Sequence, residues 1–560
     1  MMRRAVRIGL VQVDPTIGAM EENGRLLLDG FGRAVAGGAE LAVSSELALP
    51  GYPPTDLFER PDFVTRLERA EHDLVTSIPG GLVAVFGSIE ARRESEGRPF
   101  HNVAVVAERG RVILRAQKAL LPVYDVFDEG RYFEPATDAS RNLFELKGIR
   151  IGVTICEDLW NDRELWPRRL YRIDPVEALV AQGIQGIVNL SSSPFSVGRD
   201  EVRRGIVRHA AQRHGVFVAY ANQVGANDGL VFDGASMIFD AGGRELLRLP
   251  SFRPDVGVTT TEATMEGPLD WAAPREAPAI EQIHDALILG ISDFFEKLRI
   301  ETAVVAVSGG IDSAVVTYLA SVALGRDRVK TLSLPSRYSS KGSIDDAAAL
   351  TSALGVEMRV LSIEPMLEAS LRTLDPILVG RPPGLTEENL QSRLRGVLVM
   401  AYANELKAVA LTTGNKSESA VGYCTLYGDT CGGLAPIADL YKNQVYALAR
   451  YANARAGREL IPESSITKAP SAELRPNQRD EDSLPPYDAL DEELRLMVEE
   501  RLGIEEISTR SGRPIDEVRR VVGLVHGSEF KRRQYPPTLR VSSKAWVGRE
   551  YPIAHRFRER

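Results

Sequence analysis

Short apolar runs rich in β-branched residues punctuate the first half of the chain. Residues 5–13, 41–44, 82–88, 102–107, 112–117, 150–155, 186–190, 216–220 and 236–239 have the length and character of strands. Glu108-Arg109-Gly110-Arg111, between two of them, reads as a hairpin turn. Helical stretches at 23–37 and 199–214 separate others, and such alternation predicts a layered α/β domain. From about 259 to 279 the periodicity stops, and three prolines with scattered charges read as a connector. Residues 280–298 then regain helical spacing. A strand at 303–307 and a helix from 314 follow, then parallel strands at 329–335, 358–363 and 407–412 with helices at 343–354 and 390–403 between them. That order predicts a doubly wound parallel sheet with ligands at the carboxyl ends of its strands. The pattern divides the chain into 1–265, a linker at 266–279 and 280–560. Residues 464–491, rich in proline and charge, read as a lid or a surface excursion.

One strand–loop–helix junction carries chemistry. Between the apolar run 303–307 and the helix lies Ser308-Gly309-Gly310-Ile311-Asp312-Ser313. The glycines let the backbone approach a ligand, and the free N–H groups of the helix start favour phosphate. Ser308 and Ser313 add hydroxyl donors, and Asp312 can hold a magnesium ion against the same phosphates. The P-loop spacing with its lysine is absent. A bare Ser-Gly-Gly would fit a plain turn. The six residues in this context resemble the pyrophosphatase loop of amidating enzymes that adenylate a substrate and release pyrophosphate.

Composition narrows the setting. Across 560 residues, 44% hydrophobic and 26% charged, the net charge is −9, which disfavours a broad electrostatic grip on nucleic acid. Three cysteines suit a reducing compartment rather than a disulfide framework. Residues 1–13 read as a first strand rather than a signal peptide, and no apolar run approaches bilayer length. The expectation is a cytoplasmic protein with neither membrane nor nucleic acid as partner.

In the first half, polar residues sit where strands end: Glu46 after 41–45, Lys118 after 112–117 and Cys156 after 151–155. A cysteine nucleophile needs a base, which a carboxylate can supply, and an ammonium can hold the oxyanion of acyl transfer. Each alone also fits a buried structural thiol, a strand-end carboxylate or a solvated lysine. Together with Pro50-Gly51-Tyr52-Pro53, Leu120-Leu121-Pro122 and Glu157-Asp158-Leu159-Trp160, they resemble the Glu–Lys–Cys triad of the nitrilase/amidase superfamily over roughly residues 5 to 265. The resemblance implies an α-β-β-α sandwich that cleaves amide carbon–nitrogen bonds, with Cys156 as nucleophile, Glu46 as general base and Lys118 as oxyanion stabiliser. Glu129 matches a second carboxylate of these sites, a salt bridge being the competing account. Tyr124, Ser193 and Arg199 match the positions that hold the α-carboxylate and α-amine of glutamine in glutamine-using members, although Arg199 also suits a solvent-facing helix start.

In the second half, Pro335-Ser336-Arg337-Tyr338-Ser339-Ser340, Glu388-Asn389-Leu390-Gln391-Ser392-Arg393 and Thr413-Gly414-Asn415-Lys416-Ser417-Glu418 fall at strand ends. With Gly428–Ile437 and Pro470-Ser471-Ala472-Glu473-Leu474, they resemble the NAD synthetase family. With an amide-cleaving domain in front, the whole chain resembles its glutamine-dependent branch. This implies ATP-dependent adenylation of deamido-NAD, then displacement of AMP by ammonia carried through an enclosed passage, in a homo-oligomer. By correspondence, Ala306, Val307, Ser308, Gly309, Gly310, Ile311, Asp312 and Ser313 hold ATP, with Thr413 beside them and Lys468 reaching a terminal phosphate. Asn389, Glu418 and Lys531 contact deamido-NAD. Asp312 and Glu418 are the implied magnesium ligands, although Glu418 fits a substrate role alone. For Lys468 and Lys531, a solvated surface cation is the competing account. Cys424 and Cys431, without a nearby histidine, read as structural. The basic tail from Lys531 onward suits phosphates or a neighbouring subunit.

Two rivals remain to be weighed. One is another pyrophosphate-releasing amidase, acting on a nucleotide base or tRNA, which the acidic balance and the later motifs disfavour. The other is a non-catalytic sensor of adenine nucleotides and glutamine, disfavoured by the intact Glu46, Lys118, Cys156 and phosphate loop.

Overall fold

The computed structural model describes residues 5–261, 277–380, 382–546, 548–557 and 559. The chain divides into two compact units, Met1–Ala277 and Pro278–Arg560. The connector expected at 266–279 lies almost wholly outside the described residues.

Two six-stranded sheets form the first unit. One runs Asp255–Thr260, Arg7–Gln12, Leu41–Val43, Val83–Ala91, Phe100–Glu108, Arg111–Gln117; the other runs Glu245–Arg248, Met237–Phe239, Phe217–Asn222, Gly186–Ser191, Ile149–Ile155, Leu143–Leu146. Period-2 alternation sorts their side chains into layers. Ile8, Leu10, Val83 and Val85 of the first sheet share a core with Ile151, Val153, Ile155, Val188 and Leu190 of the second. The opposite face of the first sheet, with Ala84 and Phe86, packs against Leu27, Phe31, Leu67 and Leu74 of the helices Met20–Ala36 and Pro61–Ser77. Ile187, Val218 and Phe239 cover the outer face of the second sheet, against Val176, Leu179, Ile206 and Ala210 of Pro175–Val180 and Arg199–His214. The result is the expected α-β-β-α sandwich. The turn at 109–110 joins an antiparallel pair as expected. The short strands Leu143–Leu146, Val224–Asn227, Leu230–Asp233, Glu245–Arg248 and Asp255–Thr260 add to those expected from sequence.

The second unit holds a fully parallel sheet in the order Glu357–Val360, Val329–Ser333, Ala303–Ala306, Val409–Leu411. Helix Leu385–Glu405 covers one face through Val399 and Ala403, packed on Val304, Leu332 and Ala410. Helix Ile311–Leu324 packs on Ala303–Ala306 and Val329–Ser333 and is backed by Ala279–Leu298 and Lys442–Ala456. From Ala303–Ala306 the chain moves to one side of the sheet, and it later returns to the other at Val409–Leu411. The strand order therefore reverses between these two, the place where open α/β sheets bind ligands. Residues 307–310 and 412–415 leave the sheet at that point. Among the described residues, no helix is long and apolar enough to cross a membrane.

A close backbone approach fixes the loop that carries Glu46. Gly87, inside its strand, donates to the Ser45 carbonyl at 3.1 Å, and its own carbonyl accepts from the Leu49 N–H at 3.1 Å. A Cβ on Gly87 would lie 2.0 Å from the Leu47 nitrogen and 2.6 Å from the Glu46 carbonyl carbon. Backbone cannot yield as a side-chain tip can. Gly87→Ala is expected to destabilise the first unit by about 1–3 kcal/mol, read as a lower urea midpoint at an unchanged m-value. An unchanged midpoint contradicts this account of the contact.

Candidate functional site

In the first unit, strand Ile149–Ile155 ends at Cys156, which opens the 3-10 turn Cys156–Leu159 with φ of 44°. A β-carbon is unfavourable in that left-handed region, so the turn stores strain at this residue. Asp158 holds the turn in place. Its buried carboxylate accepts from Ile155 N at 3.0 Å, Leu120 N at 2.8 Å and Ala119 N at 3.1 Å, binding the segment after Lys118 to the turn that presents the thiol.

Lys118, 0% exposed, sits between two carboxylates. Its Nζ donates to Glu46 Oε1 at 2.6 Å and to Glu129 Oε1 and Oε2 at 2.8 and 2.7 Å. Further donors orient the acids: Asn102 Nδ2 and Ser192 N reach Glu46 at 2.8 and 3.2 Å, and the Tyr52 hydroxyl reaches Glu129 at 3.1 Å. Burial opposes the lysine charge, but Glu129 and Glu46 together hold its pKa well above the ordinary lysine range. Burial lifts Glu129 to about 7, with Lys118 pulling it down and Glu46 pushing it up. Burial and then the Glu46 charge push the Cys156 thiol well above its usual value, against the pull of Lys118. The resting thiol is therefore protonated and needs a base, and Glu46 is the first charge in its field.

Beside the thiol, Glu157 accepts from the Tyr124 hydroxyl at 2.9 and 3.0 Å. Burial raises its carboxyl, with Tyr124, Lys118, Tyr171 and Arg199 opposing. Arg199 is half-buried rather than facing open solvent, with its guanidinium 4.3 Å from the centre of the Trp160 ring. Ser193 is buried, and its N–H donates to Asn222 Oδ1 at 2.9 Å. Glu46, Lys118, Glu129 and Cys156 thus converge, with Tyr124 and Arg199 among the neighbours of the same thiol. Asn102, Tyr52, Glu157 and Asp158 complete the cage. The flanking motifs contained Tyr52, Glu157 and Asp158, but only packing assigns them partners.

In the second unit, Gly309 has φ of 78° and brings its backbone so close to residue 343 that a Cβ would stand 2.1 Å from the Ser343 carbonyl oxygen. Ser308 Oγ accepts from Gly310 N at 3.2 Å, and Ser313 Oγ donates to the Gly310 carbonyl at 3.0 Å, shaping the turn before helix Ile311–Leu324. From the other loop, Asn415 Nδ2 donates to Asp312 Oδ1 at 3.0 Å, and Asn415 Oδ1 caps its own helix by accepting from Glu418 N at 3.0 Å.

Between Asp312 and Glu418 stands a residue the motifs did not single out. Lys442 Nζ donates to Asp312 Oδ2 at 2.5 Å and to Glu418 Oε1 at 3.1 Å. Burial works against its charge, but Asp312 and Glu418 raise its pKa. Glu418 is lifted to about 8 by burial, with Lys442 pulling down and Asp312 pushing up. Two carboxylates in one pocket demand a cation, and that physical requirement is the signal that could have found Lys442.

Lys468 and Lys531 are not free surface cations. Lys468 Nζ donates to Asp346 Oδ2 at 2.9 Å and Ser343 Oγ at 3.2 Å; Lys531 Nζ donates to the carbonyls of Gly422 and Cys424 at 2.7 and 2.8 Å. Asn389 Oδ1 accepts from the Thr425 hydroxyl at 2.8 Å, and Thr413 is half-buried beside Gly414. Segment 464–491 contacts the phosphate loop. Ser465 Oγ donates to the Gly309 carbonyl at 3.0 Å, and Glu473 accepts from the hydroxyls of Ser340 and Ser343 at 2.8 Å each. Cys424 and Cys431 are free thiols, both pushed by burial to about 11.

Residues 7–266 match the carbon–nitrogen hydrolase family, and residues 283–535 match the NAD synthase family. The chain therefore joins an amide-hydrolase unit to an amidating synthase unit, and its class is that of a ligase. It is 43% identical over 556 residues to the glutamine-dependent NAD(+) synthetase of Synechocystis sp., covering 98% of this chain and 99% of that one. Against the Thermotoga maritima enzyme of the same name, identity is 37% over 595 residues, with 99% and 100% covered. The solved glutamine-dependent NAD+ synthetase of Acinetobacter baumannii, in complex with adenosine diphosphate, is similar with a TM-score of 0.77 at 34% identity, covering 98% of each chain. The chain belongs to the glutamine-dependent NAD(+) synthetase family.

The cage makes a stability prediction. Lys118→Met leaves Glu46 and Glu129 buried with no ammonium between them, and is expected to destabilise the first unit by about 3–5 kcal/mol at pH 8. Carboxyls buried without a counter-ion have folded pKa values above their unfolded ones. The folded variant then takes up protons as pH falls, and the deficit shrinks toward pH 5.5. Urea unfolding at both pH values checks this, and a deficit that grows on acidification contradicts it.

Proposed function

We propose that this chain makes NAD from deamido-NAD, ATP and glutamine, releasing glutamate, AMP and pyrophosphate. What carries the reading is the buried Glu46–Lys118–Glu129 cage beside the strained Cys156, in one chain with a phosphate loop at a sheet switch point.

In the first unit, Glu46 takes the thiol proton as the Cys156 sulfur attacks the glutamine amide carbon. The Lys118 ammonium faces the oxyanion that forms, held by Glu129. Collapse to the thioester expels ammonia, which leaves with the proton returned by Glu46. Water, deprotonated by Glu46, then attacks the thioester; glutamate departs and the thiol is restored. Arg199 takes the α-carboxylate of the substrate, while Tyr124 and Ser193 position its α-amine beside the Glu157 carboxylate.

In the second unit, residues 306–313, Thr413 and Lys468 hold ATP, and Asn389, Glu418 and Lys531 contact deamido-NAD. The nicotinate carboxylate attacks the α-phosphorus, and pyrophosphate leaves. Ammonia then adds to the activated carbonyl, loses a proton and displaces AMP. Segment 464–491 closes over this centre. Asp312 and Glu418, two hard oxygen donors brought within reach of one cation, fit magnesium. A bound magnesium ion would neutralise charge on the phosphates. Lys442 gives the same carboxylates a counter-charge and the phosphates a donor. At neutral pH free ammonia is mostly protonated and no longer a nucleophile. An enclosed passage between the centres follows from that chemistry, within a cytoplasmic homo-oligomer.

Cys156→Ala is expected to abolish NAD formation from glutamine while ammonia-supported synthesis stays within about twofold of the parent. Equal loss with both nitrogen sources sinks the division of labour. Lys442→Gln is expected to lower NAD formation from either source about 10²-fold while glutamine hydrolysis persists. Parent-like synthesis by Lys442→Gln removes that residue from the centre.

A further inference from the structure

The steps above use Glu418 but leave its neighbour Lys416 without a role, although its side chain is 0% exposed. Burying an ammonium is costly unless every donor is met. Lys416 Nζ donates to Ser542 Oγ and to the Lys544 carbonyl, each at 2.7 Å, lies 3.0 Å from Asp439 Oδ1 and 3.5 Å from Glu499 Oε1, and stands 4.6 Å from the centre of the Tyr441 ring. Asp439, also 0% exposed, accepts from Val541 N at 2.8 Å, Ser542 N at 2.7 Å and Ser542 Oγ at 2.8 Å. Three of these partners, Val541, Ser542 and Lys544, belong to one stretch near the end of the chain. That stretch is further tied down by the Ala435 N–H, which donates to the Pro537 carbonyl at 2.8 Å.

The other face of the same short segment points to the reaction centre. Asn415 bonds Asp312, Glu418 shares Lys442, and the Ser417 hydroxyl donates to Asp491 at 2.5 Å while accepting from Lys442 N at 3.0 Å. Helix Lys416–Val421 has only six residues, too few to set its own position. We propose that Lys416 is a positioning residue of the synthetase centre: by clamping segment 538–544 beneath this helix, it fixes Asn415 and Glu418 against Asp312 and Lys442. The C-terminal segment is then part of the adenylation machinery, although it touches no reacting atom. The inference rests on the reading of Asp312, Glu418 and Lys442 given above.

The test compares Lys416→Met, Ser542→Ala, Lys442→Gln and parent full-length protein, assaying NAD formation from ammonia, its magnesium dependence and glutamine hydrolysis. For Lys416→Met, kcat is expected to fall roughly tenfold to a hundredfold. The magnesium midpoint is expected to rise at least roughly threefold, with the KM for ATP and glutamine hydrolysis within about twofold of the parent. A loss that came from general loosening would not move the magnesium midpoint alone. A folded Lys416→Met protein with parent-like kcat and magnesium midpoint overturns the proposal. If Lys416→Met does not fold, Ser542→Ala decides, since it removes one hydroxyl. A kcat about threefold lower with a raised magnesium midpoint supports the clamp, and parent values overturn it. Parent-like NAD formation by Lys442→Gln instead identifies failure of the underlying reading.

Discussion

An ammonium buried between two carboxylates recurs as the central constraint of both units. In the first unit Lys118 is held by Glu46 and Glu129; in the second Lys442 is held by Asp312 and Glu418. Neither carboxylate pair could stay ionised in a low-dielectric interior alone, and neither lysine could stay charged there. Each triplet is stable only as a unit, so the position of each member is fixed by the other two. The surrounding architecture serves that requirement. Gly87 admits the Glu46 loop against a neighbouring strand, Asp158 binds the segment after Lys118 to the Cys156 turn, and Asn415 joins two loops that leave the parallel sheet at its switch point.

The two triplets differ in the residue added to them. Beside Lys118 lies a thiol whose proton burial and the Glu46 charge retain until a substrate arrives. The first centre therefore sets a protonated thiol close to a buried carboxylate–ammonium cage. Beside Lys442 the described residues place hydroxyls, backbone N–H groups and a third acid, Asp480, which Tyr423 and Tyr487 hydrogen-bond at 3.2 and 3.0 Å. Such a set can polarise and position a phosphate. The chemistry differs because of what stands next to the lysine, not because of the lysine.

Much of this was legible in the sequence, for identifiable reasons. Apolar, β-branched runs marked the long strands, such as those around 83–91 and 149–155, because strands buried on both faces leave little room for polar side chains. The short strands Glu245–Arg248 and Leu230–Asp233 are hidden because charged end residues leave only two or three apolar positions to read. Glu46, Lys118, Cys156 and Ser308 to Ser313 stood out because each falls where a strand ends. Lys442 did not: it lies at the start of a helix, Lys442–Ala456, distant in sequence from the acids it joins. Asn102 is hidden for the opposite reason, being a polar residue inside a strand whose role exists only once Glu46 faces it. Motifs show chemistry contributed by one segment; a charge satisfied across segments becomes visible only in the fold.

The charge inventory of the second centre would favour a nucleotide that arrives with its cation. Asp312 and Glu418 bracket one ammonium, whose charge also reaches Asp480, so several acids share a single lysine. Burial answers this in part by raising the Glu418 carboxyl, against the pull of Lys442. A polyphosphate approaching such a pocket alone would meet repulsion. A divalent cation approaching alone would have to compete with the Lys442 ammonium for the same oxygens. A nucleotide carrying its cation meets neither obstacle. Asp312 and Glu418 would hold such a cation, and the Lys442 ammonium would then be free to face phosphate oxygens. Lys442, bonded to both acids, keeps those groups aligned.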